Sequence, residues 1–555
     1  MILGLDVGGT QTDTVLISDG EVVYENKIPT ENDLLDTLRI AIGKAVAEMD
    51  TGRLERMVFS TTMATNAIVQ GRLSDAGMII TAGPGMDPHL FSVGPCFEIV
   101  EGCLDHRGFE VMPLVKKSVL ETANHLKDKS IDCVGIVGKF SVRNPAHELR
   151  IAEWINGDFS HISLGHRVSG ILNFPRRITT TYLNAALSKL HDRFFASLVR
   201  ILDEKGLNAP RFLLKPDGGT IRIDQSMDTP AMTTQSGPAA SVMGALALDG
   251  CTDTSLILDI GGTTTDISVI LEGVPLLEPS GIMLGPFQTL IRSLLTHSVG
   301  IGGDSEIRTG EDGHFTIGPS RQGPPLAFGG SIPTPTDAMI ALGMIETGDK
   351  KAAMEGMAAL GVPAGLDAEG TARCVLERMG EIIAESARAF VDRINSRPVY
   401  TIHEVLYQKE IRPDAVVIIG GPAPHVAQHV GKALGLPYRV PPHSGVANAV
   451  GAAVARVTTE ITLQADTERG TVVIPEADIN KKIYGRFNDK DALSMAEKVL
   501  RQQAVEAGAD PEDLELSIIE RQAFNMIRGF SKTGQNIRLK MSVIPGIIPE
   551  WKRTH

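Results

Sequence analysis

The sequence predicts an α/β protein with a duplicated glycine-rich hairpin and a small α+β region at its end. Three observations predict it. The octapeptide Asp6 to Asp13 returns without a gap as Asp259 to Asp266, in the pattern D-x-G-G-T-x-T-D. Short apolar runs alternate with stretches of helical spacing, the β-α-β rhythm of a mixed sheet. Near residue 460 that rhythm gives way to a strand, a helix and two more strands.

The two octapeptides stand too far apart for a solenoid repeat. Each lies between strand-like runs: Ile2 to Leu5 and Val15 to Ile17 around the first, Leu256 to Leu258 and Ile267 to Ile270 around the second. Two apolar runs meeting at Gly-Gly read as a hairpin. Glycine lets backbone N–H groups approach an anion, and threonine hydroxyls add donors at its edge. Two such hairpins face to face would hold a polyphosphate from both sides, with Asp6 and Asp259 placed to hold Mg²⁺ through its waters. The plainer alternative is a pair of tight turns.

Further along, a second strand is expected at Glu21 to Glu25. Leu34 to Met49 has helical spacing, with Asn32 or Asp33 as its cap. Val58 and Phe59 form a buried strand entering the polar loop Ser60 to Asn66. Met78 to Thr81 and Cys133 to Val137 are further strands, separated by a helix near Lys116 to Lys127. A long amphipathic helix spans 176 to 206, with glycine as its stop. Phe212 to Leu214 opens a second α/β unit, and the turn Ser236 to Ala240 opens a Gly/Ala helix to Leu248. The Pro- and Gly-rich stretch Gly318 to Thr336 reads as an ordered loop ending at Asp337. A helix from Thr371 to Ile394 precedes strand Ala415 to Ile419 and then Gly420-Gly421-Pro422. From Thr471 the expected elements are strand Val472 to Ile474, helix Asp491 to Glu506, and strands Leu514 to Ile519 and Asn536 to Val543.

At 555 residues two or three domains are expected. A net charge of −14 without a basic run argues against nucleic acid as a partner. The five cysteines show no C-x-x-C spacing, which argues against a zinc site or a disulfide framework and fits a reducing, cytoplasmic setting. No apolar run approaches the ~18 residues of a membrane span. Neither a G-x-x-x-x-G-K-[ST] loop nor a strand-linked G-x-G-x-x-G is present, which sets aside P-loop and dinucleotide chemistry.

The order of hairpin, long insert, second hairpin and late Gly-Gly strand resembles the two-lobed actin/Hsp70/hexokinase-like (ribonuclease H-like) ATPase fold. Within that superfold the chain resembles the hydantoinase/oxoprolinase A family. The resemblance is carried by the two octapeptides, T-T-x-A-T-N (Thr61 to Asn66), N-P-x-H-E (Asn144 to Glu148), Arg177 with Asn184-Ala185, S-G-P-A (Ser236 to Ala239) and P-T-x-T-D-A (Pro333 to Ala338). It covers residues 1 to roughly 455.

The resemblance implies an ATP-dependent hydrolase subunit that activates a cyclic amide or imide (hydantoin, oxoproline or a lactam) by phosphorylating its carbonyl, with a separate B-type subunit completing hydrolysis. Related carboxylases phosphorylate ketones. It divides the chain into an N-terminal lobe over 1–175, a second lobe over 176–460 and an α+β region over 461–555. ATP and Mg²⁺ are the implied cofactors, and a homo-oligomer is compatible with it. Gly8, Gly9, Thr10, Thr12, Gly261, Gly262, Thr263 and Thr264 would donate to phosphate oxygens. Gly420, Gly421 and Pro422 would lie against the adenosine, and Asp6 and Asp259 on the metal side. Asp13 and Asp266 serve equally well to tie down their own hairpins.

Thr62, Asn66, Arg177 and Asp337 are the substrate-side candidates, because an imide or lactam needs neutral donors and acceptors plus one cation. A helix cap for Asp337 and a lobe-bridging partner for Arg177 are the alternatives. His147-Glu148 reads as a general base or metal ligand, or more simply as a loop entering a helix. Departures fall on the substrate side: Ser60-Thr61 where the family has His-Gly, Arg176 where it has an acid, and Gly302-Gly303-Asp304-Ser305 where it has G-G-G-S. They keep open a second function, an ATP-driven activator of a partner enzyme, and a third, a small-molecule kinase.

Overall fold

Local chemistry makes the first hairpin. Val7 and Thr12 face each other across it, and the Gly8 amide donates to the Gln11 carbonyl at 3.0 Å, closing the turn. Strands β1 (Ile2–Val7) and β2 (Gln11–Ser18) pair antiparallel, β3 (Glu21–Pro29) adds to β2, and β4 (Arg56–Thr61) lies parallel to β1. Arg211–Leu214, parallel to β4, and Thr220–Arg222 complete a six-stranded sheet. The computed structural model describes residues 1–278, 281–310, 312–396 and 410–552.

The second lobe repeats that construction. Ser255–Ile260 and Thr265–Leu271 form the hairpin, and the Gly261 amide donates to the Thr264 carbonyl at 2.9 Å. Ala415–Ile419 runs parallel to the first of these strands, and Tyr438–Arg439 follows it. In both sheets the first strand of the antiparallel hairpin is followed on its other side by two parallel strands. That is the expected α/β, two-lobed actin/Hsp70/hexokinase-like architecture.

Two helices cross between the sheets. Ser236–Asp249 and Ala447–Val454 bury their small residues against Ile2, Val15 and Val58 of the first sheet and Ile257, Val417 and Ile419 of the second. Their approach is close enough to require glycine: a Cβ on Gly244 would stand 2.1 Å from the Ala447 carbonyl oxygen. One continuous core thus joins the lobes. A parallel four-stranded sheet (Cys96–Ile99, Ala76–Thr81, Cys133–Gly138, His161–Leu164) is inserted in the first lobe, with a core of its own.

Most expected elements are present with shifted ends. Asp33 caps the helix Leu34–Ala47, the long helix is Phe174–Glu204 with Asn173 as its cap, and the helix expected at Thr371 to Ile394 is Ala368–Asn395. The second strand runs on to Pro29 because its outer residues alternate exposed and half-buried. At the end of the chain the two expected short strands are one long hairpin, Leu516–Arg528 with Ser531–Val543. Its outer half is exposed, so no apolar alternation marks it. This hairpin, Glu460–Asp466, Thr471–Ile474 and Ile479–Lys482 form an antiparallel sheet over which the helix Asp489–Glu506 packs. Among the described residues no helix is long and apolar enough to cross a membrane.

Candidate functional site

Both hairpins open onto one cleft of about 620 Å³ between the lobes. Asp6, Gly8 and Thr10 line it from the first, and Asp259, Gly261 and Gly262 from the second. Gly420, Gly421 and Pro422 line it after the late strand. The cleft sits at the carboxyl ends of the parallel strands, where open α/β sheets bind ligands.

The carboxylates are arranged in matched pairs. Asp6 is paired with Asp13 across the first hairpin, and Asp259 with Asp266 across the second. Burial raises Asp6 to about 7, against a hydrogen bond from Ser60, and the nearby charges of Asp13 and Asp259 raise it further. Asp13 is raised to about 6 by burial even though Lys27 lies 3.0 Å away. Asp266 is also lifted to about 6, by burial and then by Asp259, and takes a hydrogen bond from Ser298. Asp259 accepts from Ser241 Oγ at 2.5 Å and from Asn448 Nδ2 at 3.2 Å. An acidic cluster under such strain fits a hard divalent cation, held by one or two carboxylates and otherwise by water. Among the described residues no group of three or more His, Cys, Asp or Glu is placed to hold a metal ion by itself.

The backbone around the cleft is tied down by contacts from other segments. Gly303 and Asp304 donate their amides to the carbonyls of Gly261 and Gly262 at 2.9 and 2.7 Å, fastening the G-G-D-S loop to the second hairpin. Arg321 bridges Asp304 and Thr263, each at 2.9 Å. This arginine was not singled out in the sequence, nor were Ser241 and Asn448. Each comes from an element remote from the hairpin it supports, so no local motif marks it. At Gly9 and Gly421 an added Cβ would meet nothing within 4 Å and neither backbone is left-handed, so no neighbouring protein atom demands glycine there. Thr12 is buried, with its hydroxyl on Thr30 Oγ1 at 2.9 Å.

The substrate-side candidates divide. Thr62 lines a second hollow of about 640 Å³, with Thr65, the Ser236-Gly237-Pro238 turn, His297 and Ser298. Asn66 Nδ2 donates to Thr62 Oγ1 at 3.3 Å. Here two sequence motifs interlock: the Thr61 amide donates to Ser236 Oγ at 3.1 Å and the Gln235 amide to Thr65 Oγ1 at 2.8 Å. The two hollows are linked through the second hairpin: Ser298, on the wall of the second, donates to Asp266, the cross-strand partner of Asp259 on the wall of the first.

Arg177 and Asp337 line neither hollow. Arg177 is fully buried and donates to the carbonyls of Gly138, Lys139 and Ile171 at 2.6, 3.0 and 3.0 Å; burial lowers its guanidinium to about 10, against the pull of Glu148. Asp337 forms a capping box with Thr334 and accepts from the amides of Leu326 and Ala327, closing the proline-rich loop onto its helix. Glu148 lies in the same buried network as Arg177. It accepts from the Gly138 amide and from His166, whose other ring nitrogen meets Asp478 of the C-terminal sheet. Its neighbour His147 is held by Glu110 at 2.9 Å.

Comparison with known proteins bears on the family and the fold. The chain matches the model of the Hydantoinase/oxoprolinase family over residues 177–461, and that of the family's N-terminal region over residues 2–158. It is 25% identical over 456 residues to caprolactamase subunit alpha of Pseudomonas jessenii, covering 75% of this chain and 64% of that one. It is 26% identical over 393 residues to the acetophenone carboxylase gamma subunit of Aromatoleum aromaticum, covering 62% and 53%. The chain thus spans less than two thirds of the length of these two relatives. The crystal structure of ATP-dependent caprolactamase from Pseudomonas jessenii shares its fold, with a TM-score of 0.70 at 19% identity over 99% of this chain and 88% of that one.

Proposed function

The chain belongs to the hydantoinase/oxoprolinase family, and from that premise we propose that it is the ATP-binding subunit of an enzyme that phosphorylates a carbonyl oxygen of a cyclic amide or imide. One observation carries the proposal: Gly8 and Gly261, in hairpins of matched register, line a single cleft with Gly420 and Gly421. Such a cleft takes a nucleotide with its phosphates between the hairpins and its adenosine toward the late glycines. Mg²⁺, held from the Asp6 and Asp259 side, would supply charge neutralisation of the transferring phosphoryl group.

The residues of this chain position and stabilise. Backbone amides at Gly9 and Gly262 and the hydroxyls of Thr10, Thr263 and Thr264 hold phosphate oxygens, where preorganised donors act best, while the Gly8 and Gly261 amides close the two turns. Ser241 and Asn448 fix the rotamer of Asp259. The second hollow takes the amide, with Thr62 on its wall offering a neutral donor and acceptor to a lactam or imide and Asn66 held behind it on the Thr62 hydroxyl. Arg177 and Asp337 hold the walls. A partner subunit of the B type would complete hydrolysis, consistent with relatives that carry subunit names.

The test is ATP turnover by the full chain with a panel of hydantoins, oxoproline and lactams, with and without a candidate partner subunit. Stimulation by one cyclic amide is the expected result. A stable phosphorylated product would indicate a small-molecule kinase instead, and stimulation by a protein alone an activator of that protein.

A further inference from the structure

The helix Ser236–Asp249 is entered through a residue that does not suit its own backbone. Gln235 has φ of +50° and ψ of +38°, the left-handed region, where glycine sits freely and a longer side chain is strained. Two contacts hold it there. The Gln235 amide donates to Thr65 Oγ1 at 2.8 Å, and on the next residue Ser236 Oγ accepts from the Thr61 amide at 3.1 Å. A long polar side chain kept at a strained position implies a use for that side chain.

Its surroundings supply one. Gln235 stands half-buried on the wall of the second hollow, which it shares with Thr62 and with the apolar Ile282, Met283, Leu294 and Leu295. The hydroxyls of Thr65, Ser236 and Ser298 on that wall already hold protein groups. The Gln235 carboxamide makes no hydrogen bond among the described residues, and its polar atoms are not sealed from solvent.

A carboxamide carries an acceptor and a donor on one planar fork. A small-ring lactam or imide carries the complement, because the ring locks its N–H and C=O on the same side. Two parallel hydrogen bonds result: the ring N–H donates to Gln235 Oε1, and Gln235 Nε2 donates to the ring carbonyl, whose second lone pair stays free. A ketone or an N-methylated lactam makes only the second bond. An open-chain secondary amide is trans and presents the two groups on opposite sides.

We propose that Gln235 is the residue that selects a cyclic amide bearing an N–H, with the apolar wall taking the ring methylenes. The inference rests on the reading that the second hollow takes the amide. It adds no step to phosphoryl transfer: Gln235 orients the ring and neither gives nor takes a proton.

The experiment is ligand-observed NMR titration of the full chain, with Mg²⁺ and a non-hydrolysable ATP analogue present, using butyrolactam, valerolactam and caprolactam beside their N-methyl counterparts. At least one N–H lactam is expected to bind, about tenfold or more tighter than its N-methyl form, the difference a neutral hydrogen bond makes when lost. Gln235→Met should weaken the N–H lactam to the level of the N-methyl one, and leave the N-methyl lactam and the ATP analogue bound as before. Gln235→Gly, which relieves the left-handed backbone, should lose the same preference while the unfolding midpoint holds or rises. N–H and N-methyl lactams bound alike by the wild type, or a preference that survives either substitution, would overturn the role of Gln235 alone. Binding of the ATP analogue with no lactam bound at all would instead overturn the reading of the second hollow, and this inference with it.

Discussion

Asp6 and Asp259 hold the same register position in two hairpins of one chain, each opposite a second aspartate, and both face the same cleft. Asp6, Asp13, Asp259 and Asp304 line that one hollow, and burial raises Asp6, Asp13 and Asp304 above their ordinary values. A cation relieves that arrangement. Asp6→Asn should therefore act in opposite directions on stability and activity. The unfolding midpoint without nucleotide is expected to hold or rise, because a buried charge is gone. ATP turnover should fall by a factor on the order of 10²–10³, as when a preorganised electrostatic group is lost. A calorimetric scan and a phosphate-release assay on the same preparation check both.

The same acid sets a pH dependence. With Asp6 raised to about 7 from 3.8, the folded state prefers the protonated form. Its contribution to stability is full below the unfolded value and is lost as pH rises through the folded one. Cation binding needs the ionised form and runs the other way. Affinity for Mg²⁺ with ATP should climb by up to about tenfold per pH unit below 7 and level off above it. Titration across that range in wild type and Asp6→Asn is the measurement, and the variant is expected to lose the slope.

Two adjacent glycines separate fold from ligand. Gly420 has φ of +97°, and a Cβ there would lie 2.2 Å from the Ile260 carbonyl oxygen and 2.8 Å from Asp259 Oδ1. Gly420→Ala should cost about 1–3 kcal/mol in backbone strain alone and should displace Asp259. Gly421 has no such neighbour. Gly421→Ala is expected to leave the unfolding midpoint unchanged while shrinking the shift that Mg-ATP produces, since the added methyl occupies space the ligand uses.

The hairpins were legible in the sequence because a Gly-Gly turn, its threonines and the strands on either side are all local chemistry. The same holds for Asp33 as a cap. What the sequence did not reveal depends on contacts made across long stretches of chain. Asn448 and Ser241 converge on Asp259 from two different helices, and Arg321 reaches Thr263 and Asp304 from a loop. No spacing rule links them. The long C-terminal hairpin was read short because its outer half, with Phe524, Ile527 and Phe530 all exposed, has no buried face to impose alternation. Arg177 and Asp337 were read from their chemistry as ligand groups, but the carbonyls and amides that occupy them belong to loops whose positions only the folded chain reveals.

Arg177 gives the sharpest separation between holding a wall and touching a substrate. Its guanidinium ties Gly138, Lys139 and Ile171, the ends of a strand and a loop, to the start of the long helix. Lysine cannot reproduce a planar fork with three acceptors. Arg177→Lys should therefore lower stability by roughly 3–5 kcal/mol, the range for breaking a buried charged network by removing one partner. Glu148, drawn below the usual carboxylate range because His166 and Arg177 outweigh its burial, should lose part of that depression. Destabilisation of the variant relative to wild type should consequently be full at neutral pH and shrink as pH falls through and below the ordinary carboxylate value. The check is chemical denaturation at neutral and mildly acidic pH beside steady-state kinetics. A wall role predicts a lowered midpoint with KM for the activating amide unchanged in the folded fraction. A raised KM at undiminished stability would place Arg177 on the substrate.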